Sequence, residues 1–429
     1  MKKILLIIVI LFGINIHANA QTQNIENLLF NLPDVIFKKI ETPDSFEHAY
    51  ELKVKQPLDH FDPSKGYFYQ RAYLSHKAFD RPTVINTAGY STKYNYVLEL
   101  TELLEANQIV VEHRFFGESL PDSLEYQYLN LKQATADLHH INQLFKTIYT
   151  GKWVSTGISK GGVTTIFYRY FYPEDVDVSV PYVAPLNKEY EDKRIYTFLD
   201  TVGTDECREK IKSFQTRLLE NREEVLSLLK FYSIGAKLKF TYFTLEQAFE
   251  FAVLEYPFSF WQWGYRCSTI PENETSLEDV VEYFLSKNPL TLFGDRDIKY
   301  LAPHYYQSAA EMGYYGYEAY KFKNLIKSLP TDTNPQATFL PNKMDVSFDG
   351  SLLKDVHEWI ENEGNKFIYI YGAKDTWSAC AVQPSDKVDS QWFFLKGKDH
   401  GKARIANMTT EEKEKFTMIL EEWLSINID

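Results

Sequence analysis

The stretch that most constrains this chain is Gly157-Ile158-Ser159-Lys160-Gly161. It lies between an apolar run that reads as a strand and a segment, 163–172, that reads as a helix. A serine with glycine two residues away on each side, at a strand-to-helix junction, needs a turn so tight that its backbone is strained. Side chains at the glycine positions would collide with the neighbouring strand and helix. The strain lifts the serine oxygen to the top of a sheet, beside a helix N-terminus that favours developing negative charge. The plainer alternative is a glycine-rich turn with an idle serine. The two readings separate on whether the rest of the chain supplies a base and an acid in the right places.

Around this turn the chain alternates. Segments 46–54, 67–74, 83–87, 108–112 and 176–183 read as strands, and 131–148 has apolar residues at helical spacing. Residues 21–44 read as a short helical lead-in ending at Pro43. Strand–helix alternation implies a parallel sheet covered on both faces. From about residue 191 to 340 the alternation stops and helical stretches dominate: 207–232, 244–256 and 276–286, crowded with aromatics such as Phe258, Phe260, Trp261 and Trp263. It then resumes with strands at 367–371 and 391–395 and a closing helix at 410–426. The expected organisation is an α/β domain in two parts, 21–190 and 341–429, with a helical lid domain, 191–340, inserted between them. At 44% hydrophobic and 16% aromatic, 429 residues suffice for a large core. A net charge of −13 disfavours a nucleic-acid partner.

Residues 1–20 read as an export signal: Lys2 and Lys3, an apolar stretch from Ile4 to Ile16, and a small-x-small cleavage site at Ala18-Asn19-Ala20. That apolar stretch is short for a membrane span, and no later stretch is long and charge-free enough, so no stable membrane anchor is expected. Export, to the periplasm or the medium, permits a disulfide. Cys207 and Cys267 share the helical segment and form the expected pair, which leaves Cys380 over.

A serine hydroxyl becomes a good nucleophile only when a base takes its proton. In the α/β-hydrolase arrangement the chain order is serine, acid, histidine. Asp375 follows the strand 367–371, and His400 is the one histidine beyond it. Asp386, Asp389 and Asp399 are rival acids. The oxyanion donors expected are the backbone N–H of Lys160 and those of Gly89 or Tyr90, after the strand 83–87. No spacing of His, Cys, Asp or Glu suggests a metal, and no cofactor is expected.

Three segments, Gln56-Pro57-Leu58-Asp59-His60-Phe61, the run from Glu112 to Ser119, and Gly157 to Gly162, resemble the secreted serine exopeptidases. Two related groups share the pattern: the lysosomal prolyl carboxypeptidase and dipeptidyl peptidase group, and the bacterial tripeptidyl aminopeptidases of the PS-10 or S37 type. The elbow and the late Gly-Ala-Lys-Asp and Lys-Asp-His-Gly segments are closer to the bacterial group. Ile158 and Lys160 depart from the Gly-Ser-Tyr-Gly-Gly of the other. The resemblance implies an α/β-hydrolase fold with a helical cap, a triad of Ser159, Asp375 and His400, and release of short peptides from a free N-terminus. Such an enzyme needs a carboxylate for the substrate's terminal amine. Glu112 and Glu118 are placed for it, though either could instead be a structural partner of Arg114. The expected substrates are peptides. The alternatives are a prolyl-type dipeptidyl or carboxypeptidase, and an esterase or lipase on the same scaffold.

Overall fold

The computed structural model describes residues 24–288, 290–329, 339–340, 344 and 346–428. The export signal expected at 1–20 lies outside them. Nine strands form one sheet: β1 (Val35–Lys39), β2 (His48–Pro57), β3 (Tyr67–His76), β4 (Thr83–Thr87), β5 (Asn107–Val111), β6 (Trp153–Ile158), β7 (Val178–Tyr182), β8 (Ile368–Gly372) and β9 (Gln391–Leu395). Their order is β1-β2-β3-β5-β4-β6-β7-β8-β9. The first three pairings are antiparallel and the other five parallel. The central strands β4, β5, β7 and β8 are buried at every position. They are short, mostly apolar runs because helices cover both faces of the parallel part.

The helices are α1 (Ile25–Phe30), α2 (Glu99–Leu103), α3 (Leu131–Lys146), α4 (Lys160–Phe171), α5 (Arg194–Thr201), α6 (Asp205–Glu220), α7 (Arg222–Gly235), α8 (Leu245–Gln262), α9 (Leu277–Lys287), α10 (Asp295–Gln307), α11 (Ser351–Glu363) and α12 (Thr410–Leu424). Leu138 and Ile141 of α3 pack with Ile85 and Ile109 on one face of the sheet. Val356 and Ile360 of α11 join Ile166 and Phe167 of α4 against Tyr369. On the other face, Leu100 of α2 and Phe416 and Leu420 of α12 pack on Val84, Val154 and Ile368. Adjacent residues such as Val84 and Ile85 serve opposite layers, as the two-residue strand period requires. This is an α/β-hydrolase fold. Between β7 and β8 the helices α5–α10 are inserted, with an apolar core of their own that includes Leu218, Phe249, Phe260, Phe284 and Ile298.

Three expected elements differ. The lead-in is helical only over α1. Val35–Lys39 is instead a strand, because after Asp34, at φ +58°, it pairs antiparallel with β2. The stretch 207–232 is two helices that meet at Asn221. Its side-chain amide donates back to the Arg217 carbonyl at 2.8 Å, which competes with continuation of the helix. Helix α8 runs six residues beyond the expected end and through Pro257. Proline has no N–H for the Val253 carbonyl. Gln215 Nε2 from α6 donates to that carbonyl at 2.7 Å, so the helix continues without a buried orphan.

A disulfide joins Cys207 of α6 to Cys267, 60 residues away, and Cys380 is a buried free thiol. Closing a loop of that length in the unfolded chain is worth about 4 kcal/mol in the chain-entropy account. The double variant Cys207→Ser/Cys267→Ser should therefore lose about 2–4 kcal/mol in urea unfolding. A change below about 0.5 kcal/mol would remove the bond from the list of stabilising features.

Candidate active site

Strand β6 runs up the middle of the sheet and ends at Ser159, which sits at φ +58°, ψ −124°. A non-glycine residue there is strained, and the strain persists only where surroundings over-determine it. Here the Ser159 N–H donates to the Tyr182 carbonyl at 2.9 Å, and its own carbonyl accepts from the Val163 N–H at 2.9 Å. The next residue starts α4, so that helix's N-terminus lies at the serine. A Cβ on Gly161 would collide with the Thr87 carbonyl oxygen, which is why the turn can press against β4.

Asp375 follows β8 and His400 follows β9, and these two strands are neighbours. His400 Nδ1 and Asp375 Oδ2 are 2.9 Å apart. The Asp375 side chain is fully buried and also accepts from Ser378 Oγ at 2.8 Å and from the Trp377 N–H at 3.2 Å. With Nδ1–H donating to the carboxylate, Nε2 carries the lone pair, which is the tautomer a base needs. Two of the three rival acids are engaged elsewhere. Asp399 takes the N–H groups of Gly401 and Lys402 and the Lys402 ammonium, and Asp389 pairs with Lys366. The His400 N–H donates to the carbonyl of Gln262, the last residue of α8, at 3.0 Å. No hydrogen bond joins His400 to the Ser159 hydroxyl. Such contacts often stay loose in a free enzyme and tighten once substrate is bound.

The loop after β4 presses on the elbow. Gly89 is at φ +76°, and a Cβ there would strike the Gly161 backbone nitrogen. The Lys160 ammonium donates to the Gly89 carbonyl at 2.9 Å and lies over the rings of Tyr90 and Phe116. In a trans peptide the C=O and the following N–H point opposite ways. Holding the Gly89 carbonyl therefore turns the Tyr90 N–H to the other side. Among the described residues no backbone carbonyl accepts from the N–H of Gly89, Tyr90 or Lys160. Burial drives the Lys160 ammonium down to about 7, against the opposing pull of Glu311.

Ser159, Lys160 and Tyr90 line a cavity of about 490 Å³ between the sheet and the inserted helices. Glu255, Ser259 and Gln262, spaced along one face of α8, form part of its wall, and Trp377 and Tyr314 form an aromatic side, their rings 6.1 Å apart and nearly parallel. Trp263, also on the wall, stands edge-on to His400 with ring centres 6.4 Å apart. This size suits a small ligand or the end of a peptide. A second cavity of about 460 Å³, between α5, α6 and α8, holds none of the residues at the elbow.

A family model described as PS-10 peptidase S37 matches residues 18–428. The chain belongs to the PS-10 peptidase S37 family. Prolyl tri/tetrapeptidyl aminopeptidase of Streptomyces mobaraensis is 28% identical over 415 residues, which cover 95% of this chain and 86% of that one. Lysosomal Pro-X carboxypeptidase of Mus musculus is 28% identical over 156 residues, 32% of each chain. Among solved structures, a proline iminopeptidase of Mycobacterium smegmatis aligns over 87% of this chain and 97% of its own, with 12% identity and a TM-score of 0.38. This S37 chain is thus a serine peptidase. No described helix is long and apolar enough to cross a membrane.

The other two segments that carry the family resemblance build scaffold in this S37 peptidase. Arg114 is fully buried, and all five of its N–H donors are used: by both oxygens of Asp137 and by the carbonyls of Pro57, Leu58 and Tyr128. His60 Nε2 is 2.7 Å from the same Asp137. Neither acid expected to meet a substrate amine lies on the cavity wall. Glu112 is fully buried, paired with Arg71 rather than Arg114, and it accepts from Thr92 N–H, Glu118 N–H and Ser119 Oγ, which uses up its lone pairs. Glu118 is solvent-exposed, and neither residue lines the cavity. The carboxylate that does line it is Glu255. Its sequence signal was an acid in the apolar run Phe251-Ala252-Val253-Leu254-Glu255-Tyr256, with no basic residue three or four positions away to pair with it.

Proposed function

We propose that this S37 peptidase is an exported aminopeptidase that releases short peptides from a free N-terminus by way of an acyl-enzyme. The observation that carries the reading is the His400–Asp375 hydrogen bond, beside a cavity whose wall includes the strained Ser159. In this mechanism Ser159 Oγ attacks the scissile carbonyl carbon while His400 Nε2 takes its proton. The carbonyl oxygen becomes an oxyanion, met by the N–H of Lys160 and that of Gly89 or Tyr90. His400 returns the proton to the departing amine of the remaining polypeptide. The short N-terminal fragment stays as an ester on Ser159. Water, deprotonated by His400, then hydrolyses the ester and frees the serine. Asp375 holds the ring through Nδ1 and steadies the imidazolium.

Further features support the reading. The inserted helices roof the cavity as a cap, so a loose chain end enters more easily than the middle of a folded protein. The parallel rings of Trp377 and Tyr314 suit an apolar or prolyl side chain near the cut. The Cys207–Cys267 disulfide fits an oxidising compartment outside the cytoplasm, as the first twenty residues imply.

The test uses chromogenic tripeptide amides with a free or an acetylated amine, including one with proline at the cut. The free-amine substrates should be cleaved at least about 30-fold better in kcat/KM, a difference of about 2 kcal/mol. Equal rates on both would end the aminopeptidase reading. Turnover of short acyl esters with no peptide cleaved would point to an esterase.

A further inference from the structure

Eight carboxylates are buried among the described residues: Glu112, Asp137, Asp175, Asp192, Glu250, Glu255, Asp375 and Asp399. Seven of them have an arginine, lysine or histidine nitrogen within ion-pair distance. Glu255 is the exception, with no such partner among the described residues, and it is the one on the cavity wall with Ser159. A buried carboxylate without a cation is costly unless hydrogen bonds or a ligand compensate. Its Oε2 accepts from both Tyr315 and Tyr317, at 2.8 and 2.7 Å, so Oε1 is left to neither phenol. Two phenols on one oxygen fix the carboxylate's direction without neutralising it. Pro257 follows two residues later in the same helix, and Ser259 and Gln262 continue the same face into the cavity.

We propose that Glu255, aimed by Tyr315 and Tyr317, receives the substrate's terminal ammonium and so sets the preference for a free N-terminus. The proposal rests on the aminopeptidase reading above and adds the residue responsible for it. The cation missing from the eighth buried carboxylate arrives with the peptide. Burial raises the Glu255 carboxyl to about 7, even though the hydroxyls of Tyr317, Tyr315 and Ser259 favour its charged form. An entering ammonium opposes that burial and favours the ionised carboxylate. The opposite polarity, capture of a peptide's terminal carboxylate by the cavity's lysines, is less well prepared. The Lys160 ammonium is tied to the Gly89 carbonyl, and that of Lys287 lies over the rings of Tyr265 and Tyr283.

The experiment compares kcat/KM on free and N-acetylated tripeptide amides for the full chain and for Glu255→Gln, with folding checked by thermal melting. Wild type should prefer the free amine. In Glu255→Gln the ratio of free to acetylated should fall by about 30-fold or more, the lower end for removing one partner of a buried charge pair. The loss should come chiefly through KM. Should that variant not fold, Glu255→Asp carries the test: it keeps the charge, retracts the carboxylate, and should lower the ratio in part. An unchanged ratio in a folded variant overturns the assignment of Glu255 and leaves the aminopeptidase reading intact. No preference in wild type overturns that reading itself. Substrates whose rate responds to C-terminal amidation rather than to acetylation would overturn both and favour the lysines.

Discussion

Ser159→Ala should abolish peptide cleavage, with a loss of about 10⁶ in kcat, and Asp375→Asn should cost about 10⁴. The two numbers differ because the residues act at different removes. Without the hydroxyl no ester can form, and what remains is whatever the oxyanion donors and substrate binding give to attack by water. Asparagine at 375 keeps the shape. Its amide nitrogen, however, faces His400 Nδ1 where a carboxylate oxygen now lies at 2.9 Å. The imidazole is then driven to the tautomer with its proton on Nε2, where it cannot accept one from serine. Stopped assays on a tripeptide amide, with a fluorophosphonate label to count reactive serines, read both effects. The double variant should be no worse than Ser159→Ala alone, since the two residues serve one step. Asp375→Asn at wild-type rate would rule out this acid and return attention to Asp399.

The largest stability effect is expected at a residue outside that chemistry. Asp137→Ala should lower the free energy of unfolding by about 3–5 kcal/mol, because it strands the Arg114 guanidinium in a fully buried site. The exposed pair Lys39–Glu26, at 3.4 Å, sets the contrast: Glu26→Ala should cost under about 1 kcal/mol. Urea unfolding at neutral pH reads both, and a loss below about 1 kcal/mol for Asp137→Ala would show that the buried network is dispensable. The pair also predicts a pH effect. Burial pushes the Asp137 carboxyl up, but Arg114 and His60 outweigh it and hold it below its ordinary value. A carboxyl depressed in the folded state contributes fully above its unfolded pKa of about 3.9. That contribution is lost as pH falls through the lower folded value. The acid limb of wild-type stability should therefore be steeper than that of Asp137→Ala.

Local features of the chain were readable from sequence and long-range ones were not. The strands Thr83–Thr87 and Gln391–Leu395 have the expected bounds because turn residues bracket each apolar run. The turn at Ser159 was legible because its glycine spacing is complete within five residues, although the Thr87 carbonyl that requires Gly161 comes from β4. Asp375 and His400 could be paired on paper because the chain order leaves one histidine. Their contact follows from β8 and β9 being adjacent. Val35–Lys39 misled because its strand identity comes from β2, not from its own five residues. The helix expected at 244–256 fell short because continuation through Pro257 depends on Gln215, which lies 38 residues away from the carbonyl it satisfies. Glu112 looked functional because it opens a family segment. In the fold, that position faces Arg71 of β3. Glu255 was hidden by its surroundings, since an acid among phenylalanines reads as a helix face and its two tyrosines lie 60 and 62 residues further on.

The sheet's two outer strands have a consequence for life at high concentration. Each is only five residues long, β1 carries exposed Lys38 and Lys39, and exposed Lys396 directly follows β9. Unsatisfied backbone groups along a rim invite a second molecule to dock strand against strand, and from there to polymerise. Brief rims studded with ammonium groups repel such a guest before it can align. Crowded copies should thus stay dispersed where a long bare rim would seed fibrils.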